Sequence, residues 1–132
     1  MPTEHPNAAL ARRLFDAFAA RDIATALSLI PADAVWRFPG THGALAGEHR
    51  GREAIVRFLT QVMALTGGTF HMDIEDITAS DDNVVVLFTG DGQRDGKTLH
   101  NPTSLRIRVQ DGQLVEFTEF VWDLDHVEVF WS

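Results

Sequence analysis

The stretch Leu99 to Val121, LHNPTSLRIRVQDGQLVEFTEFV, decides the fold. Two runs in which apolar and polar residues alternate, one centred on Leu105-Arg106-Ile107 and one on Val115-Glu116-Phe117, flank Gln110-Asp111-Gly112. Alternation with period two marks strands that lay one face on a core, and an Asp-Gly step between them marks a hairpin. Gln110-Asp111-Gly112 suits a three-residue loop with the glycine in the left-handed region. That loop pairs Val109 with Gln113 and sets Arg106 opposite Glu116, a favourable cross-strand charge pair. On this register Leu105, Ile107, Val115, Phe117 and Val121 share one face, and Asn101, Thr103 and Glu119 fall on it too. A two-residue turn would instead send Glu119 to the solvent side, because a one-residue slip exchanges the faces of a strand.

Upstream, Asp95-Gly96 as a two-residue turn places Gly90 opposite Asn101 and Phe88 opposite Thr103, so the apolar face loses bulk beside its polar residues. That is how a pocket is made. A further turn at Asp81-Asp82-Asn83 divides the chain from Thr69 onward into four long strands, a meander. Before Thr69 the period is 3.6. A helix follows Pro6, with Asn7 as N-cap and Leu10, Leu14 and Phe18 on one stripe; a short second helix runs from Asp22 to Pro31. A third spans about Arg52 to Thr66, with Ile55, Phe58, Leu59 and Val62 at helical spacing and Gly67-Gly68 as its stop. Between them lie a short strand, Ala34 to Phe38, and a loop, PGTHGALAGEHRG. The expected architecture is α+β: one domain over residues 1–132, with three N-terminal helices packed on a curved antiparallel sheet.

Composition narrows the partners. Nineteen acidic residues against eleven Lys and Arg give a formal charge of −8, which repels nucleic-acid backbones and anionic membrane surfaces. The longest apolar run, Val84 to Phe88, is far short of the ~20 residues that span a bilayer. The first ten residues lack a signal peptide's basic and apolar regions, so a cytoplasmic location is expected. With no cysteine there is no disulfide, thiol nucleophile or thiolate metal site. Val85, Leu87, Phe120 and Trp122 share the face opposite the pocket, and a second copy of the chain is the expected cover.

Trp36, Pro39-Gly40, Leu45-Ala46-Gly47, Arg50-Gly51-Arg52, TGGTF at 66–70, DGQLVEF at 111–117 and the terminal Phe130-Trp131-Ser132 together resemble the SnoaL-like group of the nuclear transport factor 2-like (NTF2-like) superfamily, relatives of ketosteroid isomerase and polyketide cyclases. The resemblance implies a conical fold, a cavity between sheet and helices, and a homodimer. It implies that Trp36 and Phe38 line the cavity, with Leu14, Phe18 and Phe58 from the helices and Phe88, Asn101, Thr103, Leu105, Phe117 and Val121 from the sheet. The tyrosine and two aspartates of ketosteroid isomerase fall on Leu14, Phe38 and Leu105, none of which handles a proton, so that constellation is absent. SnoaL-like cyclases use an acid on the last strand, and Glu119 matches it, as a glutamate in place of the usual aspartate.

Other chemistry is sparse. His71 alternates with Asp73 and Glu75 on a polar strand face, and the six histidines show no metal-ligand spacing, so neither a metal nor a cofactor is expected. The loop histidines His42 and His49 would lie near the cavity mouth, where either could exchange protons near neutral pH. The resulting expectation is acid–base chemistry, an isomerisation or cyclisation, on a small hydrophobic carbonyl compound. Glu119 would carry the proton, with His42 or His49 assisting and Asn101 and Thr103 orienting the ligand. The alternatives are a non-catalytic binding or dimerisation module, and an epoxide hydrolase using Asp91, Arg94 and Asp123.

Overall fold

The computed structural model describes residues 4–132. In chain order the elements are α1 (Pro6–Ala19), α2 (Ile23–Ser28), β1 (Val35–Phe38), β2 (Gly47–Arg50), α3 (Arg52–Leu65), β3 (His71–Ala79), β4 (Asn83–Arg94), β5 (Lys97–Gln110), β6 (Gln113–Val121) and α4 (Leu124–Trp131). The strands form one open sheet in the order β2-β1-β6-β5-β4-β3, antiparallel throughout except where β1 joins β6. The helices pack on its inner face, α1 against β3 and β4, α3 against β1 and β2, and α4 against β5. No helix among the described residues is long and apolar enough to cross a membrane.

The β4–β5 hairpin has the expected register. Arg94 pairs with Lys97 around Asp95-Gly96, both central residues have positive φ (51° and 76°), and Gly90 faces Asn101 while Phe88 faces Thr103. Positive φ at both positions is the geometry of a two-residue turn whose twist matches its strands.

The last hairpin departs from expectation in two ways that cancel. Asp111-Gly112 makes a two-residue turn, φ 52° and 72°, with Gln110 opposite Gln113 and Val109 opposite Leu114. By itself that turn would point Glu119 outward. Arg108 then pairs with Glu116, leaving Val115 unpaired as a β-bulge, and the extra residue restores the inward parity of everything after it. Glu119 therefore sits opposite Leu105 on the inner face. Three expectations change as a result. Leu114, not Val115, takes the buried inner position; Arg106 faces Thr118, not Glu116; and Glu116 is paired instead by Arg108 at 3.3 Å and Arg37 at 3.1 Å. A second bulge, at Glu75 in β3, adds to the curvature of the sheet.

The helix-start expectation is also corrected. His5, not Asn7, caps α1, its Nδ1 accepting from the Asn7 N–H at 3.1 Å, because Pro6 already occupies the first helical position, where no N–H is needed. The Asn7 amide instead donates to the carbonyls of Ser80 and Asp81, 3.0 Å each, tying α1 to the β3–β4 turn.

Two elements were hidden from sequence patterning. The tail of the glycine-rich loop is not loop but β2, pairing Gly47–Arg50 with Val35–Phe38. After β6, the Asp123 side chain caps α4 by accepting from the His126 N–H at 3.1 Å. The far end of α4 is held by cations, as a helix C-terminus favours. Arg94 Nη1 donates to the Phe130 and Ser132 carbonyls at 3.1 and 2.6 Å, and Lys97 Nζ to the Val129 carbonyl at 2.9 Å. This closes one end of the sheet with Phe130 and Trp131, both buried.

Candidate functional site

Between the helices and the inner sheet face lies a narrow apolar cavity. Helix α1 lends it Leu14, Phe15 and Phe18; α3 lends Phe58, Leu59 and Val62; β1 lends Trp36 and Phe38. The far strands add Phe88, Gly90, Leu99 and Asn101, with Phe70 and Met72 at one side, Trp131 of α4 at another, and Glu119 of β6. Its volume is ≈ 40 Å³, room for a few waters. Phe15, Phe18, Phe70 and Met72 also line an adjoining cleft of ≈ 490 Å³ that carries Asp16, Arg21 and His71, so these four side chains are the partition between the two spaces. Gly90 is what lets Phe70 lie so close: a Cβ there would come within 3.1 Å of the Phe70 ring.

Among the described residues, Glu119 is the only ionisable one that lines the cavity. Its Oε2 accepts a hydrogen bond from the Trp36 indole N–H at 2.8 Å, and its other oxygen meets no partner among the described residues. Trp36 is held to that task by stacking on Phe117, centroids 4.6 Å apart and nearly parallel, and by a tilted contact with Phe58. With one neutral donor and no cation, the carboxylate loses more to dehydration than it regains. Burial therefore pushes its pKa up to about 7, the Trp36 hydrogen bond pulling weakly the other way. A carboxyl that titrates near neutrality can both take and give a proton at physiological pH.

The candidate residues named from sequence divide into two sets. Leu14, Phe18, Trp36, Phe38, Phe58, Phe88 and Asn101 meet Glu119 around the one cavity. Thr103, Leu105, Phe117 and Val121 do not line it: Leu105 and Phe117 are packed solidly beneath, and the Thr103 hydroxyl is spent on the Asn101 carbonyl at 3.1 Å. His42 lies on the exposed loop, its Nδ1 3.2 Å from Glu128 of α4. His49 lies on β2 and does not line the cavity; its ring is in tilted contact with Phe58, centroids 4.5 Å apart, with Nε2 2.8 Å from the Leu45 carbonyl. The three residues considered for epoxide hydrolysis are dispersed: Asp91 pairs with His100 at 2.9 Å, Arg94 holds the end of α4 and Asp123 caps its start.

Sequence reading missed Trp131, since it lies on an element that was not expected, and also Phe15, Phe70 and Met72. The alternation of Phe70, Met72 and Ile74 with His71 and Asp73 carried that signal, masked by the charge on the outer face. Among the described residues, two buried side-chain atoms have no hydrogen-bond partner, Asn101 Oδ1 and Trp131 Nε1, and both belong to cavity-lining residues.

Helices packed on the inner face of an open, curved sheet give the chain the NTF2-like fold. The chain belongs to the SnoaL-like domain family, whose model matches residues 11–117. An uncharacterised protein of Mycobacterium tuberculosis is 31% identical over 131 residues, which cover 98% of this chain and 99% of that one. Among solved structures, Bal32a from a soil-derived mobile gene cassette is 31% identical with a TM-score of 0.92, over 96% of this chain and 97% of its own. An NTF2-like protein of Burkholderia xenovorans shares the fold at a TM-score of 0.82 and 19% identity, covering 98% of both chains.

Proposed function

We propose that this protein is a cofactor-independent acid–base catalyst acting on a small, hydrophobic carbonyl compound. The observation that carries the reading is Glu119, a carboxyl raised to about 7 by an otherwise apolar cavity and held in place by Trp36. In its ionised form it removes a proton from the carbon beside a carbonyl, leaving an enolate and a neutral Glu119. The same acid returns that proton to the oxygen or to another carbon, which is isomerisation, or a second carbonyl of the same molecule captures the enolate and Glu119 returns the proton to the alkoxide so formed, which is cyclisation. The apolar walls exclude water that would otherwise protonate the intermediate indiscriminately. Entry follows the adjoining cleft, with Phe18, Phe70 and Met72 moving aside, because the cavity is too small for a substrate until they do.

Hydrogen–deuterium exchange tests this without the natural substrate. Incubated with 2-indanone in deuterium oxide, the protein should speed loss of the α-proton NMR signal, and Glu119→Gln should slow that exchange at least ~100-fold, the usual size of a general-base contribution. Equal rates for both proteins would defeat the catalytic reading and leave the non-catalytic binding module.

A homodimer through the outer face belongs to the same proposal. Trp122 is 86% and Phe120 56% exposed, beside the half-buried Val85 and Leu87. Adjacent exposed apolar side chains on a sheet face mark an interaction surface.

A further inference from the structure

Among the described residues, the buried side-chain atoms that the fold leaves unpaired converge on one place. A buried donor or acceptor without a partner is costly and uncommon in native proteins, so each one asks for an explanation. Here Asn101 Oδ1 is an acceptor and Trp131 Nε1–H a donor, and both residues line the cavity that holds Glu119. Neither is free to turn toward water. Asn101 is 5% exposed on the central strand β5, facing Gly90 across the ladder. Trp131 is equally buried, packed edge-on against Phe130 at 4.7 Å, and the end of α4 is fastened by Arg94 and Lys97. Gly43 at φ +92° lets the loop close on this helix end, where a Cβ would come within 3.3 Å of the Trp131 carbonyl. An indole ring fixed this firmly, with its N–H unspent beside a cavity, is set to donate to whatever enters.

We infer that Asn101 and Trp131 are the specificity pair of the cavity and select a ligand that carries both a carbonyl and a hydroxyl on one compact apolar frame. The Trp131 N–H donates to the carbonyl oxygen, and the ligand hydroxyl donates to Asn101 Oδ1. This rests on the carbonyl-compound reading above and narrows it to hydroxy-ketones and hydroxylated aryl ketones. It also assigns the C-terminal helix a part in recognition.

Four single-ring probes of one shape separate the two contacts: ethylbenzene (neither group), acetophenone (acceptor), 4-ethylphenol (hydroxyl) and 4-hydroxyacetophenone (both), with 3-hydroxyacetophenone as a second spacing. In calorimetric titrations at least one hydroxyacetophenone should bind at least tenfold tighter than ethylbenzene, with the single-group probes between. Trp131→Phe should erase the advantage of acetophenone while sparing that of 4-ethylphenol, and Asn101→Leu the reverse. The Trp131 indole N–H proton resonance of the unmodified protein gives a readout that needs no variant to fold: acetophenone should move it downfield, ethylbenzene should not. Probes that bind within twofold of one another, no binding at millimolar concentration, or an indole resonance unmoved by the ketones would each overturn the pair. Selective binding without Glu119-dependent exchange on 2-indanone would retire the acid–base reading and keep the pair; exchange without selectivity would do the opposite.

Discussion

Glu119 concentrates the physics of this molecule in one carboxyl. Its folded pKa of about 7 lies above the ordinary glutamate value of 4.5, so the folded state binds the proton more tightly than the unfolded one. The contribution to stability is therefore whole in acid and is lost as pH rises from about 4.5 through 7. In urea unfolding at a series of pH values, Glu119→Gln, which keeps an acceptor for Trp36, should gain on the natural protein by roughly 3 kcal/mol between pH 4 and pH 8. A constant difference across that range would place the carboxyl in water. Trp36→Phe works from the other side: it keeps a ring to stack on Phe117 and removes the one donor that favours the charged form. Carboxyl-carbon NMR should then show Glu119 titrating higher than in the natural protein, and a lower value would mean that the indole contact is not what limits the shift.

At the scale of elements, β6 shows how a single residue sets the chemistry of a strand. The Asp111-Gly112 turn orients β6 one way and the Val115 bulge reverses it, so that Phe117 and Glu119 face the helices while Phe120 faces out. Deleting Val115 would leave the turn intact and remove the bulge: Glu116 would follow Leu114 directly, still opposite Arg108, so Phe117 and Glu119 would keep the inner face and Phe120 the outer one. The deletion variant is expected to keep a cooperative thermal transition by circular dichroism with Glu119 still buried; a variant that does not fold would mean that the bulge itself, and not only the pairing beyond it, is needed to seat Phe117 against the helices.

On the scale of the whole molecule, the sheet has one face filled by helices and another carrying Phe120 and Trp122 into solvent. To one side of that patch the sheet is laced by charge: Arg37 bridges Glu48 at 2.7 Å and Glu116 at 3.1 Å, linking β1, β2 and β6. An apolar centre with a charged rim is the usual anatomy of a protein interface. Sedimentation at micromolar concentration should give twice the 14.7 kDa of one chain, and Trp122→Asp should halve it without altering the circular dichroism spectrum. A natural protein that sediments as one chain would leave the patch without this partner.

Much of this architecture was legible in local signals. Helical spacing of Leu10, Leu14 and Phe18, the Asp-Gly steps, and the alternation along β4, β5 and β6 act over a few residues, so they survive being read one window at a time. That no tyrosine or thiol takes part in the site was likewise settled by composition. Tertiary structure decided the rest. A two-residue turn with a bulge and a three-residue loop differ by one residue, and local propensity hardly separates them; packing of Leu105, Phe117 and Leu114 against the helices selects the bulge and so turns Glu119 inward. β2, with its charged Glu48, His49 and Arg50, is a strand only because β1 offers it an edge. Trp131 reaches the cavity because Arg94 and Lys97, more than thirty residues earlier, hold the carbonyls at the end of its helix, a long-range contact that exists only once the chain has folded.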